Sequence, residues 1–277
     1  MAVGALLGLG SALAFGVCDF VAGLSARRMS FWWVTLLSLV ASVAGAWLCV
    51  LVQGDDPSRA SVAWGVLAGV GAAVGSTALY RGYGRGQMAV AGPLSAVGTA
   101  SLPALVGAAL GDRLPATGLA GVLLALPAIW LMAGGGPVGA RARTGVVDGL
   151  VSGAGFALEF IGLERAGDAS GLWPVAVSQS TALVLLAVVV RAVRPRAGGG
   201  VTAVLLAVLA GGLSLLATVL YFLAAHAGLL TVAAVLAALY PGVTVALAAI
   251  VLRERPDRRQ VGGLLLGAAA VTLIVAA

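Results

Sequence analysis

The stretch AGFALEFIG, Ala154–Gly162, places a carboxylic acid, Glu159, inside an apolar run that extends over about 145–163. The run is continuous in Ala, Leu, Val and Gly and lacks the alternation typical of barrel strands, which predicts a helix. A helix needs about 20 apolar residues to cross the hydrocarbon core of a membrane. The stretch therefore predicts a membrane-spanning helix that carries an acid.

The rest of the chain repeats this character. Of its 277 residues, 61% are hydrophobic and 9% are charged, and the mean hydropathy is +1.10. These values lie outside the range of soluble domains. They predict a single transmembrane domain over 1–277, multi-pass in a cell membrane (inner or plasma), with ten spanning segments at about 3–26, 31–52, 61–80, 88–110, 115–134, 145–163, 172–192, 201–224, 229–252 and 259–277.

The two halves of the sequence resemble each other. When the chain is shifted against itself by about 141 residues, Ser11 falls on Ser152, Phe15 on Phe156, and TALY ending at Tyr80 on TVLY ending at Tyr221. We therefore predict two repeats of five helices, 1–137 and 144–277. Because five is odd, the second repeat enters the membrane from the opposite side.

The expected fold is thus an all-α integral membrane protein of ten transmembrane helices, arranged as two inverted five-helix repeats. Inverted repeats of this kind give many transporters two related conformations, and transport by alternating access follows from them. The alternative is that the duplication provides only a stable helix bundle.

The sequence from Leu220 to Gly267 resembles the end of the second repeat in the drug/metabolite transporter superfamily, and most of all its ten-helix EamA-type members. Tyr240-Pro241, Arg253–Arg255 and the glycines at 262, 263 and 267 carry the resemblance. It implies export or exchange of small organic metabolites or drugs and names no particular substrate. Proline bends at Pro93, Pro103 and Pro241 are the expected hinges, unless these prolines are merely structural.

Glu159 has a counterpart in the first repeat, Asp19, in FGVCDF against FALEF. A charged side chain at the bilayer centre costs about 2.5–3.5 kcal/mol on insertion scales, so such groups usually face a cavity and act there. The repeat predicts that the two acids flank one cavity formed mainly by helices 1–4 and 6–9. The alternative is a buried ion pair with Arg85 or Arg165.

The segment ALEFIG, followed by Leu172-Trp173-Pro174, is similar to the first helix of the small multidrug-resistance branch of the same superfamily. In that branch a glutamate binds either protons or a cationic drug. The resemblance implies this role for Glu159 and, through its counterpart position, for Asp19. Efflux by antiport, with protons entering as substrate leaves, is the mechanism implied.

Other polar side chains fall at matching levels in the spans. Gln179 aligns with Ser38, and Ser178 lies beside it, while Tyr80 and Tyr221 occupy equivalent positions. These groups can bind substrate in a lined cavity. Alternatively, the hydroxyl and amide groups bond between helices, and the tyrosines anchor the chain at the membrane interface.

Several function classes are excluded by composition. The chain has no lysine, and therefore no phosphate-binding loop for ATP. It has one histidine, and Cys18 and Cys49 both lie in the first two spans, so neither a metal site nor a disulfide is expected. No cofactor and no nucleic-acid partner are expected, and the chain is not expected to be an enzyme. The alternatives to a coupled transporter are an uncoupled facilitative exchanger, a channel or, from another class, an intramembrane enzyme.

Two further expectations concern the arrangement in the membrane. Thirteen arginines lie in odd-numbered connections and three in even-numbered ones. The positive-inside rule then places both termini outside the cell, whereas the family resemblance implies both inside. The pair Gly263 and Gly267 has the spacing of helix contact motifs, so the chain is expected to be a monomer or a weak homodimer.

Overall fold

The structure is a computed structural model, and it describes residues 2–109, 116–132, 140–167, 169–196, 198–226, 240–253 and 257–275. Within these residues it consists of helices and their connections, with no strand. The helices are α1 (Ala2–Ala26), α2 (Phe31–Gln53), α3 (Arg59–Gly84), α4 (Met88–Ala109), α5 (Ala116–Met132), α6 (Ala140–Arg165), α7 (Trp173–Val193), α8 (Val201–His226), α9 (Tyr240–Val251) and α10 (Arg258–Val275).

Six of these helices are long and apolar enough to cross a membrane, namely α1, α2, α3, α6, α7 and α8. Each has an apolar stretch of at least 21 residues, which exceeds the length that a bilayer requires. The expectation of a helical, multi-pass membrane protein is therefore confirmed. The first half of the span expected at 229–252 lies outside the described residues, which contain its second half, α9.

Local sequence signals set the ends of several helices. Ser58 caps α3, since its hydroxyl accepts from the Ser61 backbone N–H while the Ser61 hydroxyl accepts from the Ser58 N–H, both at 3.0 Å. This reciprocal pair satisfies two donors that a helix start leaves free. At the end of α2, Gly54 adopts a φ of 72° and donates to the Val50 carbonyl at 3.0 Å, a conformation that glycine tolerates best.

The halves of the chain pack against each other in matched pairs. α1 packs on α8 and α6 packs on α3; α2 contacts α8 and α7 contacts α3; α4 contacts α6 and α9 contacts α1. In each of these three pairs, the two helices of the second contact lie five places away, in chain order, from the two helices of the first contact. α2 with α7 and α5 with α10 are each their own counterparts in this exchange.

The two largest matched contacts use different chemistry. Along α1, Ser11 and Ser25 donate hydrogen bonds to the carbonyl oxygens of Ala217 and Ala203 on α8, at 2.9 and 2.8 Å. Between α3 and α6 the contact is made by glycines. A Cβ added at Gly155 would lie 2.7 Å from the Gly71 carbonyl oxygen, so only glycine allows the two backbones this close.

The ends of the bundle differ in charge. At one end, Gly84 approaches Ala26, Trp33 donates to the Pro195 carbonyl at 3.3 Å, and Gln87 donates to Thr144 at 3.4 Å. The described connections and helix ends there carry Arg27, Arg28, Arg81, Arg85, Arg143, Arg191, Arg194, Arg196, Arg253, Arg258 and Arg259, with Asp148 and Asp257 as the acids among them. We call it the arginine end.

At the opposite end the connections after α2 and α6 meet. Ser58 donates its backbone N–H to Ser170 at 3.0 Å, and Trp173 donates to the Asp55 carbonyl at 2.6 Å. The described ionisable residues here are Asp55, Asp56, Arg59, Glu164 and Arg165. The arginines expected in odd-numbered connections therefore gather at one end wherever the structure describes them.

Candidate functional site

A small cavity lies between helices of both halves. It has a volume of about 60 Å³, room for a few water molecules. α1, α3, α4, α6, α8 and α9 supply its walls, whereas α2 and α7, which were expected to contribute, supply none. The lining side chains are Phe15, Cys18, Asp19, Ser76, Leu79, Tyr80, Thr99, Phe156, Glu159, Phe160, Ser214, Thr218 and Tyr240.

Asp19 reaches the cavity from α1 and is 5% exposed. The hydroxyl of Tyr83, on the last turns of α3, donates a hydrogen bond of 2.7 Å to Asp19 Oδ2. Next to it in sequence, the Cys18 thiol donates to the Ala210 carbonyl at 3.2 Å and lies 3.7 Å from the Tyr80 hydroxyl. Cys18 is a free, buried cysteine. The polar neighbours of Asp19 are therefore the hydroxyl of Tyr83 and, beside it in sequence, the thiol of Cys18.

Glu159 reaches the same cavity from α6 and is also 5% exposed. Its carboxylate makes no hydrogen bond or ion pair with any residue that the structure describes. The backbone around it is fixed by α3, since a Cβ added at Gly71 would lie 2.6 Å from the Glu159 backbone nitrogen. The acid is thus rigidly placed, and its carboxylate is left available.

The ion pairs weighed as an alternative for these acids are not formed in the described part of the chain. Arg85 pairs instead with Asp148, its Nη1 lying 3.0 Å from Asp148 Oδ2. Arg165 is exposed at the end opposite the arginines. Neither Asp19 nor Glu159 has an arginine partner among the described residues.

Aromatic rings form much of the remaining wall. Phe15 lies 6.3 Å from Phe160 and 6.1 Å from Tyr240, measured between ring centroids. Phe160 stacks on Tyr221 with centroids 4.6 Å apart. The faces of such rings attract cations, so two carboxylic acids and several aromatic faces converge on one small volume.

Of the other candidate binding residues, one lines the cavity and four do not. Tyr80 lines the cavity, whereas Tyr221 stands behind Phe160. Ser38 donates to the Ala207 carbonyl at 2.9 Å and so bonds between helices. Ser178 and Gln179 are buried on α7, which does not reach the cavity.

Two of the three expected hinge prolines lie inside one helix, and the third lies near the start of another. α4 continues from Met88 to Ala109 through both Pro93 and Pro103. Pro241 is the second described residue of α9, and the chain before Tyr240 lies outside the described residues. A hinge role for these prolines stays a prediction. Gly263 and Gly267, considered for a dimer contact, are buried within the chain.

Sequence reasoning missed Asp148, Tyr83 and most of the aromatic wall. For the aromatic wall one signal was available. Phe15 and Phe156 are among the residues that coincide between the halves, and both line the cavity. Arg81 and Arg85, one helical turn apart, face one carboxylate, with Arg81 Nη2 lying 2.6 Å from Asp148 Oδ1; this pairing across 67 residues is a tertiary contact that no local pattern reveals.

Fold and site together define a helical, multi-pass membrane protein with a buried acidic and aromatic cavity. No family model and no curated protein matches the chain. The fold recurs in solved structures, among them a crystal structure described only as that of a protein. That chain is 16% identical, and the match has a TM-score of 0.66 and covers 100% of this chain and 98% of the other. At this identity the match establishes the fold alone.

Proposed function

We propose that this protein is a secondary active transporter that exports or exchanges a small organic metabolite or drug by alternating access. The observation that carries the proposal is the convergence of Asp19 and Glu159, one from each half of the chain, on one buried cavity. Buried acids inside membrane helices usually mark substrate or proton pathways.

The matched packing of the helices supports an inverted repeat. The six contacts between the halves named above form three pairs related by five places in the helix order, as expected if each half of the chain is the same five-helix unit. Transporters of this architecture bind substrate at the interface of the repeats. The position of the cavity supports such a role, since its lining comes from 15–99 in the first half of the chain and 156–240 in the second.

The chemistry of the wall favours a positively charged or protonated substrate. A carboxylate without a partner among the described residues, such as that of Glu159, attracts a cation or a proton, and aromatic faces add to the attraction of an organic cation. Proton and substrate then exclude each other at Glu159, which couples export to proton entry. The resemblance of this segment to the small multidrug-resistance branch points in the same direction.

The size of the cavity requires a conformational change. At about 60 Å³ it is far below the roughly 300–1,000 Å³ of typical ligand sites. An organic substrate therefore enters only when the lining helices move apart. This favours an alternating transporter over an open channel, in which a continuous path is present without such movement.

A liposome assay tests the proposal. Purified protein is reconstituted, a pH gradient is imposed, and uptake of candidate substrates is followed after a thermal-shift screen with amino acids, cationic dyes and nucleosides. We expect saturable flux that depends on the gradient, and its loss in the Asp19→Asn, Glu159→Gln double variant. Unchanged, pH-insensitive flux in that variant would exclude the proposed role of the acids.

The same assay separates the alternatives. An uncoupled exchanger gives saturable exchange without a response to the pH gradient. A channel gives flux that does not saturate and shows no counter-transport. Chemical conversion of a substrate in the presence of the protein would indicate the intramembrane enzyme instead.

A further inference from the structure

A second feature, separate from the buried cavity, lies on the outer surface of the bundle. An apolar groove of about 300 Å³ runs along α3, between α6 and α7, two helices that contact each other little. Val74, Val151 and Val189 form its exposed rims, at 46, 38 and 39% exposure, and Ala78 lies in its floor. Its volume falls at the lower end of the roughly 300–1,000 Å³ typical of ligand sites.

The groove has the length of one membrane leaflet. Its lining on α3 begins at Val70, near the middle of that helix, and ends at Arg81, close to its arginine end. At 1.5 Å per residue these positions lie about 16 Å apart along the helix. Half of the hydrocarbon core is about 15 Å, so the groove extends from the bilayer midplane to the headgroup level.

The headgroup end of the groove carries an uncompensated positive charge. Arg81 and Arg85 both pair with the Asp148 carboxylate, which is 1% exposed. Two guanidinium groups on one carboxylate leave one net positive charge. The arginine side chains are 34 and 46% exposed, so some of their N–H donors, five on each arginine, face outwards.

The surroundings reinforce that charge. In the described segments at the arginine end the arginines outnumber the acids, and Asp148 is already bound by two of them. Arg191, in the last turn of α7, adds to the positive field beside the groove. Basic pockets between transmembrane helices select anionic lipid headgroups.

We propose that this groove is a binding site for an anionic phospholipid. Its phosphate lies against the outward donors of Arg81 and Arg85, and one acyl chain lies along α3 between α6 and α7. A zwitterionic lipid fits the same apolar surface but brings its own cation to the arginines, so the site discriminates by headgroup charge. The lipid source is the leaflet that faces the arginine end.

Trp32 makes the site measurable because its side chain lines the groove. The protein is reconstituted in phosphatidylcholine bilayers that contain increasing fractions of brominated phosphatidylglycerol or brominated phosphatidylcholine, and tryptophan quenching is recorded. Subtracting the same titration of Trp32→Phe isolates the Trp32 signal from the other tryptophans. We expect phosphatidylglycerol to be preferred at Trp32 by about fivefold, the effect of about one uncompensated arginine.

Two variants test whether the Arg81, Arg85 and Asp148 cluster causes the preference for phosphatidylglycerol. In Arg81→Gln, Arg85→Gln, Asp148→Asn the whole cluster is neutral, so no buried charge is left unpaired, and the preference should fall to about onefold. In the matched control Arg28→Gln, Arg196→Gln, two exposed arginines are removed from the same end, and the preference should persist. Equal quenching by both lipids in the unaltered protein would overturn the proposal, as would a preference that survives the triple variant or disappears in the control.

A groove-filling variant covers the case in which the triple variant does not fold. Val74→Phe, Val189→Phe alters only exposed rim residues and leaves the arginines in place. The phosphatidylglycerol preference at Trp32 should again be lost, because the acyl chain has no place. Retention of the full preference in this variant would show that the arginines bind lipid without the groove, which also overturns the site as proposed. Excess inorganic phosphate should not compete, since the groove requires the acyl chain; competition would identify a free anion site instead.

Discussion

Asp19 and Glu159, which align to within one residue when the two halves of the sequence are compared, have different surroundings. Both are 5% exposed and both line the cavity. Asp19 accepts a 2.7 Å hydrogen bond from Tyr83, whereas the Glu159 carboxylate has no partner among the described residues. Each half therefore brings an acid to the cavity, but only Asp19 is hydrogen-bonded in the described part of the chain.

The sequence of the second half explains the missing donor. Tyr80 and Tyr221 coincide when the halves are superimposed in sequence, and three residues further on Tyr83 coincides with Ala224. An alanine side chain offers no donor, and Ala224 is buried. The difference between tyrosine and alanine at these positions accounts for one hydrogen-bonded acid and one acid without a partner among the described residues.

The helices that carry the two acids are also held in place by different kinds of contact. α1 is joined to α8 by side-chain hydrogen bonds from Ser11, Cys18 and Ser25. α6 meets α3 through close backbone contact at Gly71, Gly75 and Gly155. The second contact leaves no space for a side chain, so it fixes the backbone at Glu159.

The largest effect should come from removing the available acid. Glu159→Gln is expected to reduce proton-coupled transport by at least about tenfold, which corresponds to about 1.4 kcal/mol, and Asp19→Asn to reduce it by less, since Asp19 is already bonded to Tyr83. Initial flux in liposomes measures both. Glu164→Gln, an exposed acid on the same helix, is the control. Equal losses in the two variants would abolish the distinction between the acids.

The next effect concerns the glycine contact. Gly71→Ala should destabilise the folded protein by about 1–3 kcal/mol through overpacking, because the new methyl group would meet Gly155 and the Glu159 backbone. Unfolding in mixed detergent measures the change. Gly212→Ala is the control, since a Cβ there meets nothing within 4 Å; equal stability of the two variants would show that α3 and α6 can separate freely.

A smaller effect tests whether Tyr83 makes the difference between the acids. In the Glu159→Gln background, Tyr83→Phe removes the hydrogen bond that Asp19 accepts. A hydrogen bond to a charged group is worth about 1.5–3 kcal/mol. We expect partial recovery of transport, by about threefold if a third or less of that energy becomes usable. Tyr80→Phe in the same background is the control, as Tyr80 does not bond Asp19. Recovery with Tyr80→Phe but not with Tyr83→Phe would refute this explanation.

The smallest effect should be that of a single serine between α1 and α8. Ser25→Ala removes the 2.8 Å bond to Ala203, and hydrogen bonds between membrane helices contribute about 0.6 kcal/mol on average. Thr272→Ala is the control, because the Thr272 hydroxyl bonds Ala268 within its own helix. Detergent unfolding compares the two, and a loss for Ser25→Ala above that seen at Gly71 would reverse the ranking of the two contacts.

Much of the fold could be predicted from local sequence. The apolar segments match the described helices to within a few residues at most ends, because helix formation in a membrane depends on length and hydrophobicity along a continuous stretch. The acids could be found for the same reason, since Glu159 and Asp19 stand out in apolar surroundings. The positions of Ser38 and Gln179 were equally conspicuous, but a polar residue in a span can bond another helix as readily as line a cavity.

The sequence by itself determined the helical membrane class, most of the helix limits, and the presence of Asp19 and Glu159 inside apolar spans. Only the tertiary structure decided which neighbours those acids have, because a hydrogen bond from Tyr83 to Asp19 or an ion pair from Arg81 to Asp148 joins residues more than sixty positions apart. Such contacts depend on how the helices pack, and packing is set by all their surfaces together.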